Sequence, residues 1–116
     1  MKKLIICFSL GLSVFGTVHG ESYWVKLYEQ KGVTIYFDYS RLDSEKHRGW
    51  FKTITPDAIG LELIEGNCTE GKTRTVHMTI YDDKMRFIGE EDYPSSDWKY
   101  VTPDTNEEKR LNVLCW

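Results

Sequence analysis

The sequence predicts an α+β fold, an antiparallel sheet of about six consecutive strands followed by one C-terminal helix. Three observations predict it. From Trp24 to Glu90 most segments alternate apolar and polar side chains at period two, and short turns separate them. The tail then changes period, with Leu111, Leu114 and Cys115 at i, i+3 and i+4. Cys68 closes a strand and Cys115 closes that helix, so one bridge can tie the two together.

The strands follow in order. Trp24 to Glu29 is β-rich with apolar side chains on both faces, and Gln30-Lys31-Gly32 supplies a hairpin turn. Val33, Ile35 and Phe37 share one face of the second strand. Tyr39 to His47 is polar and fits a loop or one helical turn. Arg48 to Thr55 is the third strand, with Trp50, Lys52 and Ile54 opposite Phe51, Thr53 and Thr55, and Pro56 ends it. Gly60 to Cys68 is the fourth. Thr73 to Tyr81 is the fifth, where Val76, Met78 and Ile80 alternate with Thr75, His77, Thr79 and Tyr81. Met85 to Glu90 is the sixth, after the turn Asp82-Asp83-Lys84. Connections this short favour an antiparallel meander, because parallel strands need long crossovers.

Trp98 to Val101 is short and extended. Thr105 with Glu108 three residues on reads as a capping box, and Glu107 and Glu108 suit the positive end of a helix dipole. A helix of about ten residues is marginal alone in water, so it must dock.

The first twenty residues read as a cleaved secretory signal peptide, giving a domain of residues 21–116. Lys2 and Lys3 form a basic start, Leu4 to Val18 is apolar, and Val18-His19-Gly20 offers a cleavage site. The apolar run is about 15 residues, short of the ~20 that span a bilayer. Cys7 lies too near the start of the run to serve as a lipidation cysteine.

Cleavage changes the counts. The whole chain of 116 residues has three cysteines and a formal charge of −3; residues 21–116 keep two cysteines and a charge of −5. An acidic chain without a basic run argues against nucleic acid, which needs clustered Lys and Arg. It argues equally against anionic lipid, and no membrane span remains after cleavage. An even cysteine count in an exported domain predicts a Cys68–Cys115 disulfide. Zinc or redox spacings such as Cys-x-x-Cys are absent.

No catalytic constellation is evident. His77 has no partner in the spacing, so cross-strand packing or exposure fits it better than base chemistry. Asp82-Asp83 and Glu90-Glu91-Asp92 lack Ca²⁺-loop spacing and read as turn residues. Asn67-Cys68-Thr69 is formally a glycosylation sequon, discounted because its central residue is the bridging cysteine. No pattern asks for a metal or a cofactor. The aromatic residues leave two readings open, a one-sided core or an exposed protein-binding patch. The polar outer face of the fifth strand, Thr73, Thr75, His77 and Thr79, looks wet, so the candidate patch is Tyr93 with Trp98, beside the acidic turn.

Taken together, several segments resemble the bacterial surface-adhesin protein E-like family: the opening Trp24 strand, Tyr36-Phe37-Asp38, the mid-chain Trp50, and Glu65-Gly66-Asn67-Cys68 followed by Arg74. The tail from Trp98 to Thr105, with Cys115 closing the helix, is the most specific part. The resemblance runs over residues 22–116. It implies that the sheet is curved, with the helix tied by the disulfide to its concave face. It also implies an exported bacterial protein that binds host extracellular-matrix proteins. The missing lipidation cysteine departs from surface display and favours a periplasmic or secreted form.

The function expected is therefore a non-enzymatic exported binding domain. The alternative is a small acidic periplasmic inhibitor of a cationic envelope enzyme such as lysozyme, steered by charge. An unpaired edge strand also offers a route to a homodimer.

Overall fold

The computed structural model describes residues 23–92 and 97–116. The expected signal peptide lies outside them, as does Tyr93. Among the described residues, β1 (Trp24–Gln30), β2 (Val33–Asp38), β3 (Arg48–Ile54), β4 (Ala58–Asn67), β5 (Lys72–Asp82) and β6 (Phe87–Asp92) follow one another. They form an open antiparallel sheet in sequence order. A two-residue strand, β7 (Lys99–Tyr100), pairs with the start of β5, and the helix α1 spans Asn106–Leu114. The predicted meander, terminal helix and bridge are all present. No helix among the described residues is long and apolar enough to cross a membrane.

Local chemistry explains the turns. Lys31 and Gly32 both take positive φ in the β1–β2 hairpin, the left-handed pair that a tight hairpin turn requires. The polar stretch after β2 becomes one 3-10 turn, Tyr39–Arg41. Asp38 nucleates it. Its Oδ1 accepts the Ser40 amide at 3.0 Å and the Ser40 hydroxyl at 2.6 Å, and its Oδ2 faces Arg41 Nε at 3.7 Å. These partners make the full burial of a carboxylate tolerable.

The helix defines two unlike faces. Registers Ile35↔Thr53, Phe37↔Phe51, Gly49↔Ile64 and Phe51↔Glu62 line up one face across β2 to β4. On it, Ile35, Phe37, Phe51 and Ile64 pack with Leu114 into the buried core, and Leu111 is buried beside them. Each such apolar side chain contributes about 1.5–3 kcal/mol on burial. Gly49 and Gly66 let the helix come close: a β-carbon on Gly49 would lie 3.1 Å from Leu114 Cδ2, and one on Gly66 3.0 Å from Leu111 Cδ1. The Cys68–Cys115 disulfide, with Cα atoms 5.8 Å apart, fastens the helix end to the end of β4.

Two expectations are corrected. The capping box forms only in part: the Thr105 hydroxyl donates to the Thr102 carbonyl instead of capping the helix. Glu108 reaches back one residue further than the motif predicts and accepts the Asp104 amide at 3.0 Å. On β5, a bulge breaks the strict alternation. Leu63 pairs with His77 but Ile64 pairs with Thr75, so Val76 is the extra residue. Thr73 and Thr75 therefore turn to the helix side, where Thr75 donates to Glu62, while His77, Thr79 and Tyr81 stay on the other.

Candidate functional site

Strand alternation sends every second residue of the sheet away from the helix. Following the registers, one row across the helix-free face reads Lys26, Tyr36, Lys52, Leu61, Thr79, Glu90. A neighbouring row contains Trp50, Leu63, His77 and Asp92, and a third contains Arg48, Glu65 and Arg74. Among the described residues, no element covers these rows as α1 covers the other side. Trp24, Tyr36, Trp50 and Trp98 are all partly buried, yet none is closed off from solvent.

The ring contacts organise this face. Lys52 Nζ sits 4.7 Å from the Trp24 ring centroid and 5.8 Å from that of Tyr36. Burial holds its ammonium below the usual lysine range, partly offset by the field of Asp38. Trp50 meets the His77 imidazole edge-on at 5.8 Å. Arg74 stacks on Trp98 at 4.6 Å. Cations over aromatic faces in this manner are attracted by the ring quadrupole, and the rings in turn fix the cations in place.

The ion pairs are unevenly distributed. Arg48 and Arg74 both bind Glu65, at 3.2 and 2.7 Å, so two guanidinium groups share one carboxylate. At the far edge, His77 is engaged by β6: its Nδ1 meets Asp92 at 2.5 Å, and its Nε2 meets Thr79 at 3.0 Å and Glu90 at 3.3 Å. The cross-strand packing expected of His77 is thus what the fold provides.

Apart from Tyr93, which lies outside the described residues, the residues singled out in the sequence can be placed. Cys68 and Cys115 are bridged. Trp98 is partly buried against Arg74, at the margin of the helix-free face, beside a shallow hollow shared with His47, Glu65 and Cys68. The Asp82 turn acts as a turn: its Oδ1 accepts the Lys84 and Arg86 amides, and its Oδ2 pairs with Arg86 Nε at 2.6 Å. Hydrogen bonding, chiefly from the Arg86 amide, holds this carboxyl below the usual range. The face of β5 that looked wet is not: Thr79 is buried and Trp50 packs on His77.

Sequence reasoning did not find Trp24, Tyr36, Trp50 and Lys52 as a group. The signal was the i, i+2, i+4 series Arg48, Trp50, Lys52 on one strand, opposite the apolar Phe51. It also did not place His47 beside the bridge, where its Nδ1 donates to the Leu114 carbonyl at 3.1 Å if that nitrogen carries the proton. Ligand atoms of His47, Cys68 and Cys115 lie within 4.8 Å of one another. With the sulfurs joined, however, neither is the thiolate that binds metal.

An open groove of about 800 Å³ lies on the helix side, between the β1–β2 hairpin and the helix start. Its polar groups are largely engaged, Asn106 with Gln30 at 2.6 Å and Arg110 with Tyr28 at 3.2 Å. The helix-free face is the better candidate because it joins several rings to cations: Lys52 meets two rings, and Arg48 and Arg74 share one carboxylate.

The family model for surface-adhesin protein E matches residues 60–116, from early in β4 through the bridge to the last residue. The resemblance read from the sequence holds over that part, and the Trp24, Tyr36-Phe37-Asp38 and Trp50 segments lie outside it. Comparison with curated proteins and with solved structures gives no match.

Proposed function

We propose, taking the chain as a member of the surface-adhesin protein E family over residues 60–116, that it is an exported, non-enzymatic domain binding a host extracellular-matrix protein. The family match carries this reading. An uncovered face of half-buried rings and cations supports it, since interface cores are enriched in aromatic residues and arginine. Export rests on the reading of residues 1–20 as a signal peptide, and the location is periplasmic, secreted or at the surface. Among the described strands β6 ends the sheet, and its outer edge is where a second copy can pair to give a homodimer.

The test uses protein recovered from cells that express the full chain. Whole-cell protease shaving is compared with osmotic-shock release. The recovered protein is then assayed against immobilised extracellular-matrix proteins, with lysozyme as the cationic-enzyme arm. Binding to a matrix protein by shaving-sensitive material supports the adhesin reading. Release on osmotic shock without shaving, together with binding to lysozyme alone, replaces it with the inhibitor reading.

A further inference from the structure

We infer that the helix-free face binds a carboxylate-rich, extended segment of a protein partner, lying along β3. This inference rests on the protein-binding reading above and adds the chemistry of the partner. Three observations carry it.

First, the cations on this face have donors to spare. A lysine ammonium has three donors, and the contacts of Lys52 among the described residues are two aromatic rings, with Asp38 acting only through space. Arg48 and Arg74 divide a single carboxylate, Glu65. The whole chain has an acidic excess, 18 Asp+Glu against 15 Lys+Arg, so these cations are a local feature and not part of a general positive field.

Second, the spacing fits a polypeptide. Arg48 and Lys52 are four residues apart on the same face of β3, about 13 Å at the strand rise of ~3.3 Å per residue. Trp50 stands between them. An extended peptide repeats its same-side chains every ~6.6 Å. Carboxylates at its positions i and i+4 therefore reach the two cations while an apolar side chain at i+2 rests on Trp50.

Third, the direction is set by charge. Glu90 and Asp92 line the β6 end of the same rows, so an acidic peptide crossing the sheet meets like charge there. Running along β3 avoids them. Charge complementarity of this kind governs register and encounter rate as well as affinity.

The probe is a fluorescent peptide with Glu at i and i+4 and Leu at i+2, measured by anisotropy against the full exported protein. The comparison ligands are an oligolysine peptide and a sulfated polysaccharide. Lys52→Glu and Arg48→Glu are expected to weaken binding of the acidic peptide by about tenfold or more, and added salt to weaken it further. Lys109→Glu, on the helix, is expected to leave it unchanged. Lys52→Gln keeps most of the side-chain stem and loses the charge, so it reports the interaction should Lys52→Glu fail to fold. Equal binding by wild type and Lys52→Gln overturns the inference, as does preference for oligolysine. Stronger binding of the sulfated polysaccharide than of the acidic peptide also overturns it, in favour of a glycan. Matrix-protein binding that survives both charge reversals sinks this inference and leaves the adhesin reading standing. Acidic-peptide binding that the reversals abolish supports the inference even where the matrix panel is silent.

Discussion

Gly66 lies beneath Leu111, so that a β-carbon added to the glycine would stand 3.0 Å from Leu111 Cδ1 and 3.5 Å from Leu114 Cβ. Helix and strand touch backbone to side chain here, so a larger residue must displace the Leu111 side chain. Gly66→Val is expected to push the helix off β4 and to cost about 1–3 kcal/mol, the usual range for overpacking. Thermal melting reads the loss, and hydrogen exchange over residues 106–114 locates it. Unchanged protection there contradicts the close fit.

The bridge sets how firmly the helix stays docked. It spans a sequence separation of 47 residues. Closing a loop of that size removes about 4 kcal/mol of freedom from the unfolded chain in the entropy model. Cys115→Ser is expected to lower the denaturant midpoint and to release α1 while β2 to β4 keep their exchange protection. Non-reducing mass spectrometry of the protein is expected to find Cys68 linked to Cys115, and free thiols at both positions refute the bridge.

Adjacent residues on β3 separate stability from binding. Phe51 is fully buried on the helix side, and Trp50 is only partly buried on the other. Phe51→Ala is expected to cost about 3–5 kcal/mol. Trp50→Ala is expected to cost less than Phe51→Ala, since its ring stays partly in water and leaves no closed cavity. It is also expected to abolish partner binding. Chemical denaturation of both variants beside a binding assay checks the pair; if Trp50→Ala binds normally, the helix-free face is not the site.

Acid should loosen the β5–β6 hairpin through Asp82. Its folded-state carboxyl is depressed below the model-peptide value of 3.8. A depressed pKa means that its contribution is complete above the unfolded value and fades as pH falls through the folded one. The hairpin amides of Lys84 and Arg86 are therefore expected to gain exchange below about pH 3.8 in the wild type. Asp82→Asn is expected to remove that pH dependence. A carboxyl titration midpoint at or above 3.8 for Asp82 contradicts this.

Much of the fold was legible because its signals are local. Alternation marks each strand, the Leu111–Leu114 stripe marks the helix, and Cys68 and Cys115 end their elements. What failed depended on long-range geometry. Trp50 and Phe51 are both large and apolar, so the strand itself does not say which of them faces the core. Gly49 and Gly66 decide it, by making one side shallow enough for the helix. The Val76 bulge reverses parity midway along β5, which moved Thr75 away from His77 and disguised the aromatic side as a wet one. His47 meets the bridge only because the chain folds back, 67 residues from Leu114.

The one-sided core also divides the work of mutation. Substitutions at Phe37, Phe51 or Leu114 disturb the packing that holds the chain folded. Those at Trp24, Lys52 or Arg74 alter the opposite side and leave that packing intact. A lineage of such proteins can therefore vary that surface freely by drifting through sequences of nearly equal stability.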